Sequence, residues 1–161
     1  MYVEGKMKKE INLCSIKHKL KAVQELNKER ATMGDKLNNY YLRKSSVDNH
    51  GRIDLQLDYN VELLQLKYDC YDQLLQEFLD KLLFLSSKDC KLINIYINKP
   101  MFTNMNELFE KAGVSKTTFY RLFEEACMNL CQEISIDDFP DIEKANQEYF
   151  KLKPKNIKNN F

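Results

Sequence analysis

Tryptophan is missing from this 161-residue chain, and glycine and proline are scarce, at four and three copies. So few helix breakers leave little material for the turns of a sheet protein, and the abundance of Leu, Lys, Asn, Glu and Asp favours an all-α chain. No run of about 18 apolar residues is present, and Met1 to Glu10 is charged where a secretory leader needs its apolar stretch. The protein is therefore expected in the cytoplasm, with no membrane contact. His18 and His50 are the only histidines, and the sequence has no Gly-rich phosphate loop, nucleophile elbow or paired His and carboxylate arrangement. Neither enzyme activity nor a cofactor is expected.

Five cysteines, at positions 14, 70, 90, 127 and 131, are an odd number and widely scattered. Most fall on apolar helical faces, which fits free thiols in a reducing compartment. Cys127 and Cys131 alone have an i, i+4 spacing, but a tetrahedral zinc site needs two more ligands and both histidines are remote, so no metal site is expected. Charge of one sign is also lacking. The net value is +1, residues 1–60 hold 12 Lys/Arg against 8 Asp/Glu, and residues 101–161 hold 8 against 10. A nucleic-acid surface in the last third would make few phosphate contacts and have modest non-specific affinity.

What the chain does have is helical periodicity. Leu13, Ile16, Leu20, Val23, Met33, Leu37 and Tyr40 follow a three-four spacing, interrupted where Asn27 and Arg30 take the seam positions. This predicts a long amphipathic helix ending near Leu42, followed by a linker over about 43–53 with turn-forming Ser45, Ser46, Asp48, Asn49 and Gly51. Leu57, Val61, Leu64, Tyr68, Tyr71, Leu75, Phe78, Leu82 and Leu85 then alternate steps of four and three, four heptads of a and d positions. The partner of this seam is either the first helix folded back as a hairpin or the same helix of a second chain, giving a homodimer. Asn27 and Arg30 would cost stability in a buried dimer seam or instead set its register, so they leave both options open.

Ser86 and Ser87 supply an N-cap, with Asp89 at the positive end of a short helix over about Lys88 to Asn98 that Lys99-Pro100 stops. Leu92, Ile93, Tyr96 and Ile97 form its apolar side. A last helix is expected to start around Asp138 to Asp141 and reach Phe150, before a basic tail with Lys151, Lys153, Lys155 and Lys158. The organisation is thus a helical arm over 1–85, a helix-turn-helix unit over 86–134, and a short helix with its tail over 135–161.

The strongest local pattern runs from Thr103 to Phe123. Thr103 is suited to cap a helix that buries Leu108 and Ala112, Gly113 to end it with a positive φ, Val114 to plug the gap, and Ser115 to cap the next helix. Leu108, Val114, Phe119 and Leu122 would share a core. Ser115, Lys116, Thr117, Thr118, Tyr120 and Arg121 would cluster at the exposed start of the second helix, where double-stranded DNA is read in the major groove. Arg121 suits a bidentate contact to guanine, Thr117 and Thr118 a thymine methyl or phosphate, and Lys116 a phosphate. Glu124 and Glu125 would repel phosphates, so the surface should end near Arg121.

Ala-Gly-Val-Ser-Lys-Thr-Thr-Phe-Tyr-Arg-Leu-Phe, at 112–123, resembles the helix-turn-helix of TetR-type repressors. Only 38 residues follow Phe123 in this sequence, whereas those repressors carry their motif near the N-terminus with a ligand-binding domain after it. The order of a charged helical region, a leucine-rich helix, a short helix and then the motif is more similar to sigma-factor region-4-like regulators of phages and mobile elements, of the ArpU and RinA types. That resemblance spans roughly Tyr71 to Ile134 and implies a transcriptional regulator that binds DNA and meets RNA polymerase. Phe109 stands where such motifs place a small alanine, which either alters the helix crossing or turns Phe109 outward. The alternative is a non-catalytic assembly, packaging or replication accessory protein that oligomerises through its arm.

Overall fold

The computed structural model describes residues 2–47, 55–98 and 105–154. Among them every regular element is helical: α1 (Tyr2–Val47), α2 (Leu55–Leu82), α3 (Ser87–Ile97), α4 (Met105–Ala112), α5 (Lys116–Glu133) and α6 (Ile142–Leu152), with a 3-10 turn at Ile136–Asp138. The chain is all-α.

At 46 residues, α1 exceeds the expected Leu13 to Leu42 at both ends. The apolar stripe marks only the part of a helix that packs. Beyond it, Met, Lys and Glu carry no helix-breaking penalty, and Ser45 and Ser46 are tolerated because no proline or terminal glycine enforces a stop. The linker expected from Arg43 therefore starts no earlier than residue 48, and its remainder lies outside the described residues.

Chain reversal lays α2 antiparallel on α1. Arg30 pairs with Asp72 at 2.6 Å, and Tyr41 Oη donates to Gln65 Oε1 at 3.3 Å, so rising numbers on one helix meet falling numbers on the other. Between these contacts Gly34 lets α2 approach closely. A Cβ there would stand 3.2 Å from Tyr68 Cε2. The a and d seam of α2 closes within the chain: Val61, Tyr71, Leu75, Phe78 and Leu82 are buried, while Leu64, Tyr68 and Leu85 are half-buried. The side chain of Leu57 lies outside the described residues. α1 covers one side of this seam and α6 the other, and Tyr71 Oη donates to Asn146 Oδ1 at 2.5 Å.

α6 starts where its cap dictates. Asp141 Oδ1 accepts the Lys144 backbone N–H at 2.7 Å, and Lys144 Nζ reaches back to the carbonyls of Asp137 and Phe139. This fastens the 3-10 turn to the helix and drives Phe139, fully buried, against Phe78 with ring centroids 5.2 Å apart. α6 ends at Leu152, two residues beyond the expected Phe150, so Lys151 is helical. Lys155 and Lys158 lie outside the described residues.

Arm, helix-turn-helix and terminal helix share one buried cluster. Ile16, Leu20, Val23 and Leu26 of α1 join Leu75, Phe78 and Leu82 of α2, Ile93 and Ile97 of α3, Phe119, Phe123 and Leu130 of α5, and Ala145 of α6. Each large apolar side chain in it contributes about 1.5–3 kcal/mol by leaving water. Among the described residues no helix is long and apolar enough to cross a membrane.

Candidate nucleic-acid interface

Local rules place α4 and α5. Gly113 takes φ +72°, and its N–H donates to the carbonyls of Phe109 (2.9 Å) and Glu110 (3.1 Å), which closes the last turn of α4. Val114 N–H also reaches Phe109 O, at 3.3 Å. Ser115 then caps α5, its Oγ accepting the Thr118 backbone N–H at 3.4 Å and donating to Thr118 Oγ1 at 3.0 Å. The capping proposed for Thr103 lies outside the described residues.

The inner face of α5 is Phe119, Phe123, Ala126, Cys127 and Leu130, at helical spacing and buried. Leu108 of α4 is 1% exposed and points into the same core, with Val114 half-buried beside it. Leu122, expected in this core, is half-buried and packs against it. Phe123 takes the central place, lying nearly parallel to Phe119 at 5.9 Å and packing on Tyr96 of α3 at 4.5 Å. α3 and α1 both pack on α5, where its 119/123/126/130 stripe is buried.

Phe109 does not turn outward. It is half-buried, with its ring edge-on to Phe119 (5.7 Å) and Tyr120 (6.1 Å). Three aromatic rings thus brace the α4–α5 corner, in the edge-to-face geometry that the ring quadrupoles favour. Tyr120 is half-buried by this packing, and the Thr118 hydroxyl is occupied by the cap.

The other predicted contact residues divide cleanly. Lys116, Thr117 and Arg121 are exposed, and among the described residues their side chains make no hydrogen bond or ion pair. Ser115 is exposed next to them. A shallow, open depression between α4 and the start of α5, lined by Asn106, Glu110 and Gly113, borders this strip. The first two turns of α5 therefore expose two cations and a threonine, with Thr117 and Arg121 one turn apart, on a helix whose inner face is buried in the core.

Two features near this strip were not legible in the sequence. Glu124, one turn past Arg121, is paired with Lys17 of α1 at 2.8 Å, so one of the two carboxylates expected to repel phosphates is compensated from another element, while Glu125 is exposed. Asp89 accepts from Asn129 Nδ2 at 2.7 Å and ties the start of α3 to the second half of α5.

Cys127 is fully buried, and burial pushes its thiol up to about 12, with Lys17 pulling weakly the other way. Cys131 is half-buried, and burial raises its thiol too. Both are free thiols, and among the described residues no group of three His, Cys, Asp or Glu side chains converges on a possible metal position. Comparison with protein-family models, curated proteins and solved structures returns no match.

Proposed function

We propose that the chain is a sequence-specific DNA-binding transcriptional regulator, of the kind carried by phages and mobile elements, that reads the major groove with the start of α5. The observation that carries this reading is the free strip of Lys116, Thr117 and Arg121 on a helix anchored by Phe119 and Phe123 and set at a tight glycine corner after α4. In such an arrangement the first turns of the second helix meet base edges while the first helix lies across the backbone. Arg121 carries base discrimination, Lys116 a phosphate contact, and Thr117 a methyl or phosphate contact. Thr118 and Tyr120 shape the corner rather than touch bases. Double-stranded DNA is the proposed partner, in the cytoplasm. Binding-site selection from random DNA followed by gel shift at moderate salt is the test, and sequence-independent binding, or none, sinks the reading.

A second reading has one observation in its favour. The turn between α2 and α3 holds Leu83 and Phe84 at 73% and 77% exposure, a costly display of apolar surface. A protein partner there suits contact with RNA polymerase, or a non-catalytic assembly role in which the helix-turn-helix also binds protein. Leu83→Ser with Phe84→Ser separates these: retained DNA binding with lost promoter activation supports the first, and loss of assembly with no DNA binding by the native chain supports the second.

A further inference from the structure

Asn27 and Arg30, which interrupt the apolar seam of α1, and the neighbouring Gln24 converge on one place. Gln24 Nε2 donates to Tyr96 O at 2.8 Å, and Asn27 Nδ2 donates to Ile97 O at 3.3 Å and to Asn98 Oδ1 at 3.0 Å. Asn27 is 2% exposed. Its own oxygen accepts from Arg30 Nη2 at 3.0 Å, and Arg30 Nη1 is held by Asp72 of α2 at 2.6 Å. Tyr96 and Ile97 lie in the last turn of α3, where carbonyls run short of N–H partners within the helix; the Asn98 cap N–H reaches Asn94 O and Tyr96 O, and a carbonyl oxygen has room for a second donor. No basic side chain stands in that last turn to meet them. The amides of α1 do so, and Arg30 links those amides to α2.

We infer that Gln24, Asn27 and Arg30 are positioning residues that set the orientation of α4 and α5 on the α1–α2 hairpin by gripping the carboxyl end of α3. α3 packs directly on both α4 and α5 as well as on α1, so the axial position and rotation of α3 on α1 govern where the helix-turn-helix sits. Apolar contacts alone are non-directional and let α3 slide or rotate along α1. Hydrogen bonds to two successive carbonyls fix both its axial position and its rotation. A leucine at 27 would fill the same space and keep the stripe regular, yet it would leave the Ile97 carbonyl and one Arg30 nitrogen buried without these partners. This inference rests on the DNA-reading proposal only for its functional readout.

The experiment compares the full-length chain with Asn27→Leu and the milder Gln24→Ala, at a temperature where circular dichroism shows each folded. Backbone amide exchange is followed element by element, and preference for the selected DNA site over random DNA is measured in parallel. The expected result is that amides of α4 and α5 exchange about tenfold faster relative to those of α1 and α2, and that site preference falls roughly tenfold in Asn27→Leu. Arg30→Lys, which keeps a cation for Asp72, should show a smaller loss than Arg30→Met. A residue that only adds stability would raise exchange uniformly and leave site preference unchanged in the folded protein, and that outcome overturns the inference. If Asn27→Leu does not fold, Gln24→Ala decides by the same two readouts. If the native chain binds no DNA, the DNA-reading proposal fails by itself, and the exchange pattern still decides the positioning role.

Discussion

Lys17 Nζ of α1 sits 2.8 Å from Glu124 Oε1 of α5, one helical turn beyond Arg121. Their side chains are 38% and 47% exposed, so the pair adds less than about 1 kcal/mol to stability. Under the proposed DNA reading its larger effect is on the field beside Arg121, where Glu124 is compensated and Glu125 alone opposes phosphate. Lys17→Ala is expected to leave the melting temperature nearly unchanged and to weaken DNA binding several-fold at low salt. Glu124→Gln in the same chain should restore it. Gel shifts across a salt series check this, and equal affinity of all three proteins would refute it.

Arg121→Ala should lower discrimination between the selected site and single-base variants by about 1–3 kcal/mol. Lys116→Ala should instead weaken all sequences alike and flatten the salt dependence. Competition binding on a panel of sites distinguishes the two, and an unchanged site ranking for Arg121→Ala would remove the base contact from the proposal.

Gly113 isolates a conformational effect. Its φ is +72°, yet a Cβ added there meets no atom within 4 Å. Gly113→Ala should therefore cost about 1–2 kcal/mol from backbone strain alone. Gly113→Asn should cost less, because asparagine tolerates the left-handed region. Urea unfolding of the three proteins measures the order, and an alanine variant as stable as the native chain would contradict it.

Phe78 joins α2 to the segment ahead of α6 through Phe139, and it is 2% exposed. Phe78→Ala should destabilise the fold by about 3–5 kcal/mol. The loss should appear as one cooperative transition, because arm, α5 and α6 share the same buried cluster. A separate early transition of α6 would show that this helix is energetically independent.

Burial raises Cys127 to about 12 from an ordinary 9.0, and raises Cys131, Tyr71, Tyr96 and Tyr149 in the same direction. Each group resists losing its proton in the folded state, so above the unfolded-state pKa the unfolded chain holds fewer protons than the native one. Stability is then full below about pH 9 and falls as pH rises toward 12. Cys127→Ala should make that alkaline decline shallower. At neutral pH an alkylating reagent should mark the exposed Cys14 first, and Cys127 only after global unfolding, which mass spectrometry of timed samples can follow.

Helix identity was readable because its signals are local. Ser86, Ser115 and Asp141 cap helices, and Gly113 ends one, through hydrogen bonds and backbone angles set within three or four residues. Helix ends away from such caps were not readable: α1 overran both ends of its apolar stripe, since stripe and helix coincide only where something packs. The shared core of Leu108, Val114, Phe119 and Leu122 was readable, but not that Phe123 would fill its centre while Val114 and Leu122 stay half-buried, because the rotation of α5 is decided by α1 and α3, which are remote in sequence. Leu26 is fully buried although its spacing lies off the main stripe, for the same reason: α1 packs on several helices at once. Asn27 and Arg30 were visible as interruptions, but their purpose needed the position of a carbonyl 70 residues away.

α1 also carries a temporal consequence. Its side chains face α2, α3, α5 and α6, and the Lys17–Glu124 pair spans 107 residues of sequence. At about 5–20 residues per second of synthesis, Lys17 is made roughly 5–20 seconds before its partner exists. Throughout that interval the fully buried Ile16, Leu20 and Val23 await part of their cover, so the nascent chain passes through a stage in which its longest helix is its most aggregation-prone surface.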